Sequence, residues 1–376
     1  MKYWTYLEED GVAAHQGLAT DEFMIEQCKT SPEATSILRL YTYKNYCALV
    51  GRYQHIEAEL DLATCEREGV QFGRRLTGGG AIIMGQDQLG LCIAVSPSLV
   101  DVPAKELYRR YAQPLINALA SLGIQASLRS KNDLEVKGKK IAGLGVYLSL
   151  AGAMQFHASI LLDLDITQML RVLNIPLQKI ADKKQIHSVE QRITTISREL
   201  GRKPSLSELR QLIKQAYASH FEIKLQPHSL TASDKARITK IAQQRYLNKA
   251  WIHQRSPRPD MNGMGLKKTP AGLIRAYVAL KGDTLKSVLI TGDFFQHGDL
   301  FNQIESALKW SPLDKAKISQ VIEQSFEKAG TQASGLLSSH ITEVILRAGR
   351  KARTQTRAIH YEGSCYYPEI EQRQLS

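Results

Sequence analysis

Apolar positions along this chain fall into short runs and helical stripes that alternate, the pattern of a mixed α/β protein. Residues 12–28 carry Leu18, Ala19, Phe23, Met24 and Ile25 at helical spacing, and Thr20 or Asp21 is the expected cap of that helix. Residues 36–41 and 46–50 read as two strands around a short polar turn, with Gly51-Arg52-Tyr53-Gln54 ending the second. A helix is expected over 59–68, then a strand at 70–72, an apolar strand at Ala81-Ile82-Ile83 and another over 89–95. Leu107, Tyr111, Leu115, Ile116 and Leu119 share one face of a helix over 104–122. Leu134-Glu135-Val136 and Lys140-Ile141-Ala142 form a hairpin turned at Lys137-Gly138. Residues 154–163 read as a strand that carries one histidine, His157.

Past residue 200 the content becomes helical. Ser205-Leu206-Ser207-Glu208 has the form of a capping box, and residues 232–250 form a basic helix ending near Trp251. Arg255-Ser256-Pro257-Arg258-Pro259 and Asn262-Gly263-Met264-Gly265 read as a linker. Two strands, 272–280 and 284–292, then meet at a Lys281-Gly282-Asp283 turn, and helices follow at 299–309 and 313–329. Residues 330–376 read as a peripheral helix and tail. The expected division is therefore 1–254 and 255–376.

Composition narrows the class. A chain of 376 residues with 43% apolar content fits a globular protein of two domains, or of one large domain with an appendage. No run approaches the ~20 apolar residues that a helical membrane span requires, and the first ten residues lack the apolar core of a signal peptide. Cys28, Cys47, Cys65, Cys92 and Cys365 are scattered, without CxxC or metal spacing, which points to a reducing compartment and a cytoplasmic location. The net charge of +12 suits an acidic partner. Dispersed basic residues and the lack of any helix-turn-helix, zinc-finger or RNP-type pattern argue against nucleic acid as that partner. Neither a membrane nor an oligomer is expected.

Chemistry concentrates at Arg74-Arg75-Leu76-Thr77-Gly78-Gly79-Gly80. Glycines let successive N–H groups converge on an anion, and arginine adds a planar two-bond fork for phosphate or carboxylate. From these residues alone, a phosphate loop and a glycine-rich surface turn both stand. At the hairpin, Lys137-Gly138-Lys139-Lys140 is either a solvated basic tip or a strand that presents Lys140 to a ligand, with Asn132 and Asp133 at its other end. In the second case Lys140 neutralises charge that builds during acyl transfer, and Asp133 is placed to hold the Mg²⁺ of ATP. A lone strand histidine such as His157 is more often structural than catalytic.

Taken together, an RRxTGGGA loop, an ND before a GKKIAG hairpin, a histidine before ILLDLD and an SVxxRxT segment ending at Thr194 resemble the lipoate–protein ligase A family. The resemblance covers roughly residues 1–250. It implies a mixed-sheet catalytic domain of the biotin/lipoate ligase type flanked by helices, α/β in the α+β sense, and then a small α+β accessory domain. It also implies activation of lipoate with ATP to lipoyl-AMP and transfer to a lysine of a lipoyl domain, an acceptor that is commonly acidic. Carried over by position, Arg75, Thr77, Gly78, Gly79 and Gly80 would contact the acyl phosphate and nucleotide. Ala81, Ile82 and Ile83 would line the nucleotide and lipoyl sites, together with Gly143 and His157. Lys140 would bridge the acyl carbonyl and α-phosphate, and Asn132 and Asp133 would lie near adenine and metal.

The chain departs from the family pattern at three places. Met84-Gly85 stands where a His-Asp pair is usual, Leu144-Gly145 where Ser-Ala is common, and Ala158 follows His157 in place of glycine. These changes leave acyl-chain preference, lipoate or octanoate, open. Octanoyl- and lipoyltransferases of the superfamily work through a cysteine thioester, yet neither residues 124–130 nor 166–176 contain cysteine. Biotin ligases carry a GRGRxGRxW loop, which Arg74–Gly80 does not match. A ligase is the expected activity; an acyltransferase using an unexpected cysteine and a non-catalytic lipoate-binding protein are the alternatives.

Overall fold

The computed structural model describes residues 2–31, 34–129, 132–174, 190–294, 300–329 and 336–359. Two compact units divide between Gln254 and Arg255. In the first, strands run β1 Lys2–Val12, β2 Ser36–Tyr43, β3 Cys47–Val50, β4 Gln71–Arg74, β5 Ile82–Met84, β6 Gln88–Val95, β7 Ser127–Arg129, β8 Asp133–Val136, β9 Lys139–Leu148, β10 Met154–Leu161 and β11 Ile223–Pro227. Eight of them make a mixed sheet in the order β11-β1-β2-β6-β10-β9-β8-β7, and β4-β3-β5 form a separate small sheet.

Side-chain alternation explains why the large sheet is covered on both faces. Leu38 and Leu40 of β2, Leu91 and Ile93 of β6 and Phe156 of β10 pack under the helices Ala104–Ser121 and Leu206–Phe221. Their neighbours Ile37, Tyr41, Cys92 and Ala94 face the helix Ala14–Thr30 instead. That second face also carries Gln155, His157 and Ser159 of β10, as the alternation with Phe156, Ala158 and Ile160 requires. The expected mixed α/β fold is therefore present.

Several local expectations change. Thr20 and Asp21 cap nothing; they are buried within Ala14–Thr30, and Asp21 pairs with Arg39 at 2.7 Å. The strands around residue 45 do not pair, because β2 joins the large sheet and β3 the small one. The helix expected over 59–68 is two short ones, Ile56–Glu59 and Leu62–Arg67, since the Asp61 carboxylate starts the second by accepting from Thr64 N. Ser205 does cap Leu206–Phe221, but Glu208 turns to Arg202 at 3.0 Å. No helix among the described residues is long and apolar enough to cross a membrane.

The second unit is an antiparallel sheet, β12 Gly263–Thr269, β13 Gly272–Lys281, β14 Thr284–Gly292 and β15 Ser311–Pro312, with helices Leu300–Leu308, Lys315–Ala329 and Ser338–Ile359. Gly263 and Gly265 are thus strand, not linker. A Cβ on either would fall 2.2 Å from a carbonyl oxygen of the last helix, Ala348 O or Val344 O. That helix buries Ile341, Val344, Ile345, Ala348 and Ala352, so residues 338–359 belong to the core of this unit and are not a tail. The remainder of the expected tail, 330–335 and 360–376, lies outside the described residues.

Candidate active site

The Arg75–Gly80 loop joins β4 to β5, two strands that flank β3. Gly79 takes φ +92°, a backbone conformation that glycine adopts without strain. Arg52 N donates to Thr77 O at 2.9 Å, and Gly51 lies so near that a Cβ there would meet Gly79 O at 2.1 Å. The loop is therefore clamped onto the end of β3. At Gly80, in contrast, a Cβ would meet nothing within 4 Å among the described residues, which leave this face open.

Both arginines are consumed by backbone, not offered to solvent. Arg74, fully buried, donates to the carbonyls of Gly51, Arg52, Gln54, Trp251 and Ile252. Arg75 donates to Leu49 O, Gly78 O at 3.1 Å and Gly80 O at 3.0 Å. The fork expected to grip an anion instead fixes the shape of the loop. Burial depresses the Arg75 guanidinium to about 10, which leaves it cationic at neutral pH directly beneath the glycines.

Lys140 reaches the site through a β-bulge. Glu135 pairs with Lys140 but Leu134 pairs with Ala142, so Ile141 is an extra residue in β9. Ile141 and Ala142 both enter the core, and the alternation resets. As a result Lys140 shares a face with Gly143, where a Cβ would stand 2.9 Å from Lys140 Nζ. Asp133 Oδ1 is 2.8 Å from that ammonium. Asn132 is tied to Leu144, whose N–H donates to Asn132 O at 2.7 Å and whose carbonyl accepts from Asn132 Nδ2 at 3.4 Å. Beyond the end of β10, the Arg192–Thr194 segment pairs with the edge of β9: Lys140 N donates to Arg192 O at 2.8 Å and Thr194 N to Lys140 O at 2.9 Å. Residues 186–189 of the SVxxRxT stretch lie outside the described residues.

His157 stands opposite Gly145, where a Cβ would be 2.6 Å from its Nε2, so glycine at 145 makes room for the ring. Its Nδ1 is 3.4 Å from Thr77 Oγ1. Burial, with Arg75 and Lys140 nearby, lowers the imidazole pKa to about 3, so the ring is neutral at physiological pH. The unfolded chain binds a proton below about 6.5 that the folded one refuses until about 3. Stability should therefore fall as the pH drops from 6.5 towards 3, by up to about 1.4 kcal/mol per pH unit from this group alone. Above 6.5 the contribution vanishes. Chemical denaturation between pH 4 and 7 should show a shallower slope for His157→Gln than for the unaltered protein.

Arg75, Thr77, Ile82 and His157 line one cavity, with Leu18, Asp21, Tyr41, Met84, Gln155, Ser159 and Tyr246. Its volume is about 30 Å³, room for a water or two. Ile83 turns the other way, against Ala48 and Val50, and Ala81 packs on that same cluster. Met84, where the family has histidine, is buried in β5 and supplies a flexible apolar wall. Sequence reading missed Asp21, Tyr41, Gln155 and Tyr246, since nothing local marks a residue that long-range pairing brings to a site.

The chain belongs to the lipoyl protein ligase A/B catalytic domain family, whose model matches residues 13–218. A model for the bacterial lipoate protein ligase C-terminus matches residues 259–337, ending just before the last helix. Among relatives, the chain is 27% identical to the lipoate-protein ligase LplJ of Bacillus subtilis over 81% of this chain and 89% of that one. It is 26% identical to the octanoyltransferase LipM of Brevibacillus brevis, over 67% of this chain and 99% of that one. Among solved structures, lipoate-protein ligase A bound with ATP superposes with a TM-score of 0.58 at 22% identity, over 67% of this chain and 99% of that one.

Proposed function

We propose that this protein is an ATP-dependent lipoate–protein ligase. The acid's carboxylate attacks the α-phosphate of ATP, the acyl–O–P bond forms and pyrophosphate leaves. A lysine amine of a lipoyl-domain acceptor then attacks the acyl carbonyl, forming an amide while AMP leaves. The observation that carries this reading is Lys140, which the bulge sets on the sheet face of Gly143, close enough to His157 to act on its charge, with Asp133 beside it. Its ammonium would stabilise charge on both sides of the mixed anhydride. Arg75 adds a buried positive charge below, and the N–H groups of Gly78–Gly80 would face the phosphate. Among the described residues no three His, Cys, Asp or Glu side chains cluster to hold a metal. Mg²⁺ would therefore arrive with ATP, ligated largely by phosphate oxygens and by Asp133. The ATP-bound structural neighbour and the lipoate ligase relatives support the choice of cosubstrates.

The kinship with octanoyltransferases keeps a cysteine thioester mechanism in view, and Cys92 sits across from His157 in the β6–β10 ladder. The four thiols among the described residues, however, are poor nucleophiles. Cys28, Cys47, Cys65 and Cys92 are all buried. Burial raises Cys28 to about 12 and Cys65 to about 11, and pushes Cys47 and Cys92 upward as well. Cys92→Ser, and a variant with all five cysteines replaced, should keep ATP-dependent pyrophosphate release within about threefold, the scatter of a modest packing change. Loss of acyl transfer from Cys92→Ser, with an acyl-carrier substrate replacing ATP, would establish the transferase instead.

A further inference from the structure

At the end of the cavity remote from Lys140 lies a buried polar group that the proposed reaction leaves without a task. On the cavity face, β9 and β10 pair Gly143 with Ser159, Gly145 with His157 and Tyr147 with Gln155. From the first pair to the third the sheet advances about 13 Å, the scale of a medium-length acyl chain. An acid whose carboxylate lies at Lys140 therefore ends near Gln155.

Gln155 is 4% exposed and lines the cavity. Its Nε2 donates to Asp21 Oδ2 at 3.3 Å and approaches Cys92 Sγ at 3.5 Å. The Asp21 carboxylate is ion-paired with Arg39 at 2.7 Å and also accepts from Tyr41 OH at 3.3 Å, so it calls for donors. That requirement fixes which way the Gln155 amide points: nitrogen towards Asp21, oxygen away. The oxygen, Oε1, is buried and has no hydrogen-bond partner among the described residues. A buried acceptor left unmet is costly, and a plain alkyl terminus cannot satisfy it.

We propose that Gln155 sets specificity at the far end of the acyl chain, and that the site selects acids with a hydrogen-bond donor there, a thiol or hydroxyl, over a plain alkyl chain. This rests on the ligase reading for the direction in which the acid lies. It implies that the reduced, dithiol form of lipoate is preferred to octanoate.

The test is calorimetric titration of the full-length protein with octanoate, 8-hydroxyoctanoate, oxidised lipoate and reduced lipoate, run beside pyrophosphate release from Mg²⁺·ATP with each acid. We expect 8-hydroxyoctanoate, reduced lipoate or both to bind at least fivefold tighter than octanoate, and which of them does so names the donor. Gln155→Met, close in volume and without Oε1, should remove that gap. Equal affinity for all four acids in the unaltered protein overturns the proposal whatever the variant does. A preference that survives in a folded Gln155→Met, judged by its thermal melt, overturns the assignment to Gln155. Selective binding with no pyrophosphate from any acid would uphold this inference and remove the ligase reading; pyrophosphate from all acids at equal efficiency would do the reverse.

Discussion

Lys140→Ala is expected to slow ATP-dependent acyl activation by about 10²–10³, the loss typical of removing one preorganised charge from the reacting centre. The fold should not suffer. Lys140 and Asp133 are each roughly a quarter to a third exposed at the side chain, and such a pair contributes little to stability. Backbone bonds from Lys140 to Arg192 and Thr194 do not depend on the side chain. Pyrophosphate release at saturating ATP, compared with a thermal melt, separates the two effects. A variant that melts normally yet keeps its rate would mean that Lys140 does not face the anhydride.

The second large effect is a contrast between two glycines near the loop. Gly51→Ala places a methyl 2.1 Å from Gly79 O, a backbone atom between the Gly78 and Gly80 carbonyls that Arg75 binds. Relief requires the loop to leave β3, so a stability loss of about 3 kcal/mol is expected along with loss of activity. Gly80→Ala meets nothing within 4 Å among the described residues and should fold as well as the unaltered protein. Its methyl would stand on the open face where a phosphate approaches the loop N–H groups, so it should raise the KM for ATP without moving the melting temperature. Thermal melts and ATP titrations on both variants check the pair. Equal behaviour would show that the loop is neither clamped at 51 nor open at 80.

How far these features were legible depended on whether their cause was local. The strands of β6 and β10, the Lys137-Gly138 turn with both residues at positive φ and the helix Ala104–Ser121 all follow from nearby apolar spacing or turn chemistry. Residues Arg74–Gly80, Lys140 and His157 stood out by composition and by their resemblance to a family pattern. What the arginines touch did not, because the carbonyls they bind come from residues 49–54, 78–80 and 251–252. The aim of Lys140 was equally hidden. Strict alternation from Gly143 and Gly145 puts residue 141, not 140, on the site face, and only the bulge at Ile141 reverses that. Gly263 and Gly265 looked like a linker for the same kind of reason: their need is set by a helix some eighty residues later, pressed against their Cα atoms. Asp21 read as a helix cap, since its partner Arg39 belongs to a strand beyond the helix end.

The measurement that tests the central claim most directly is intact-mass analysis of an apo lipoyl domain incubated with this protein, lipoate, Mg²⁺ and ATP. The expected result is a lipoyl mass gain on the acceptor's lysine that requires ATP, persists in the cysteine-free variant and disappears with Lys140→Ala. A gain that needs no ATP and is lost with Cys92→Ser would contradict the account and place the chemistry on a thioester instead.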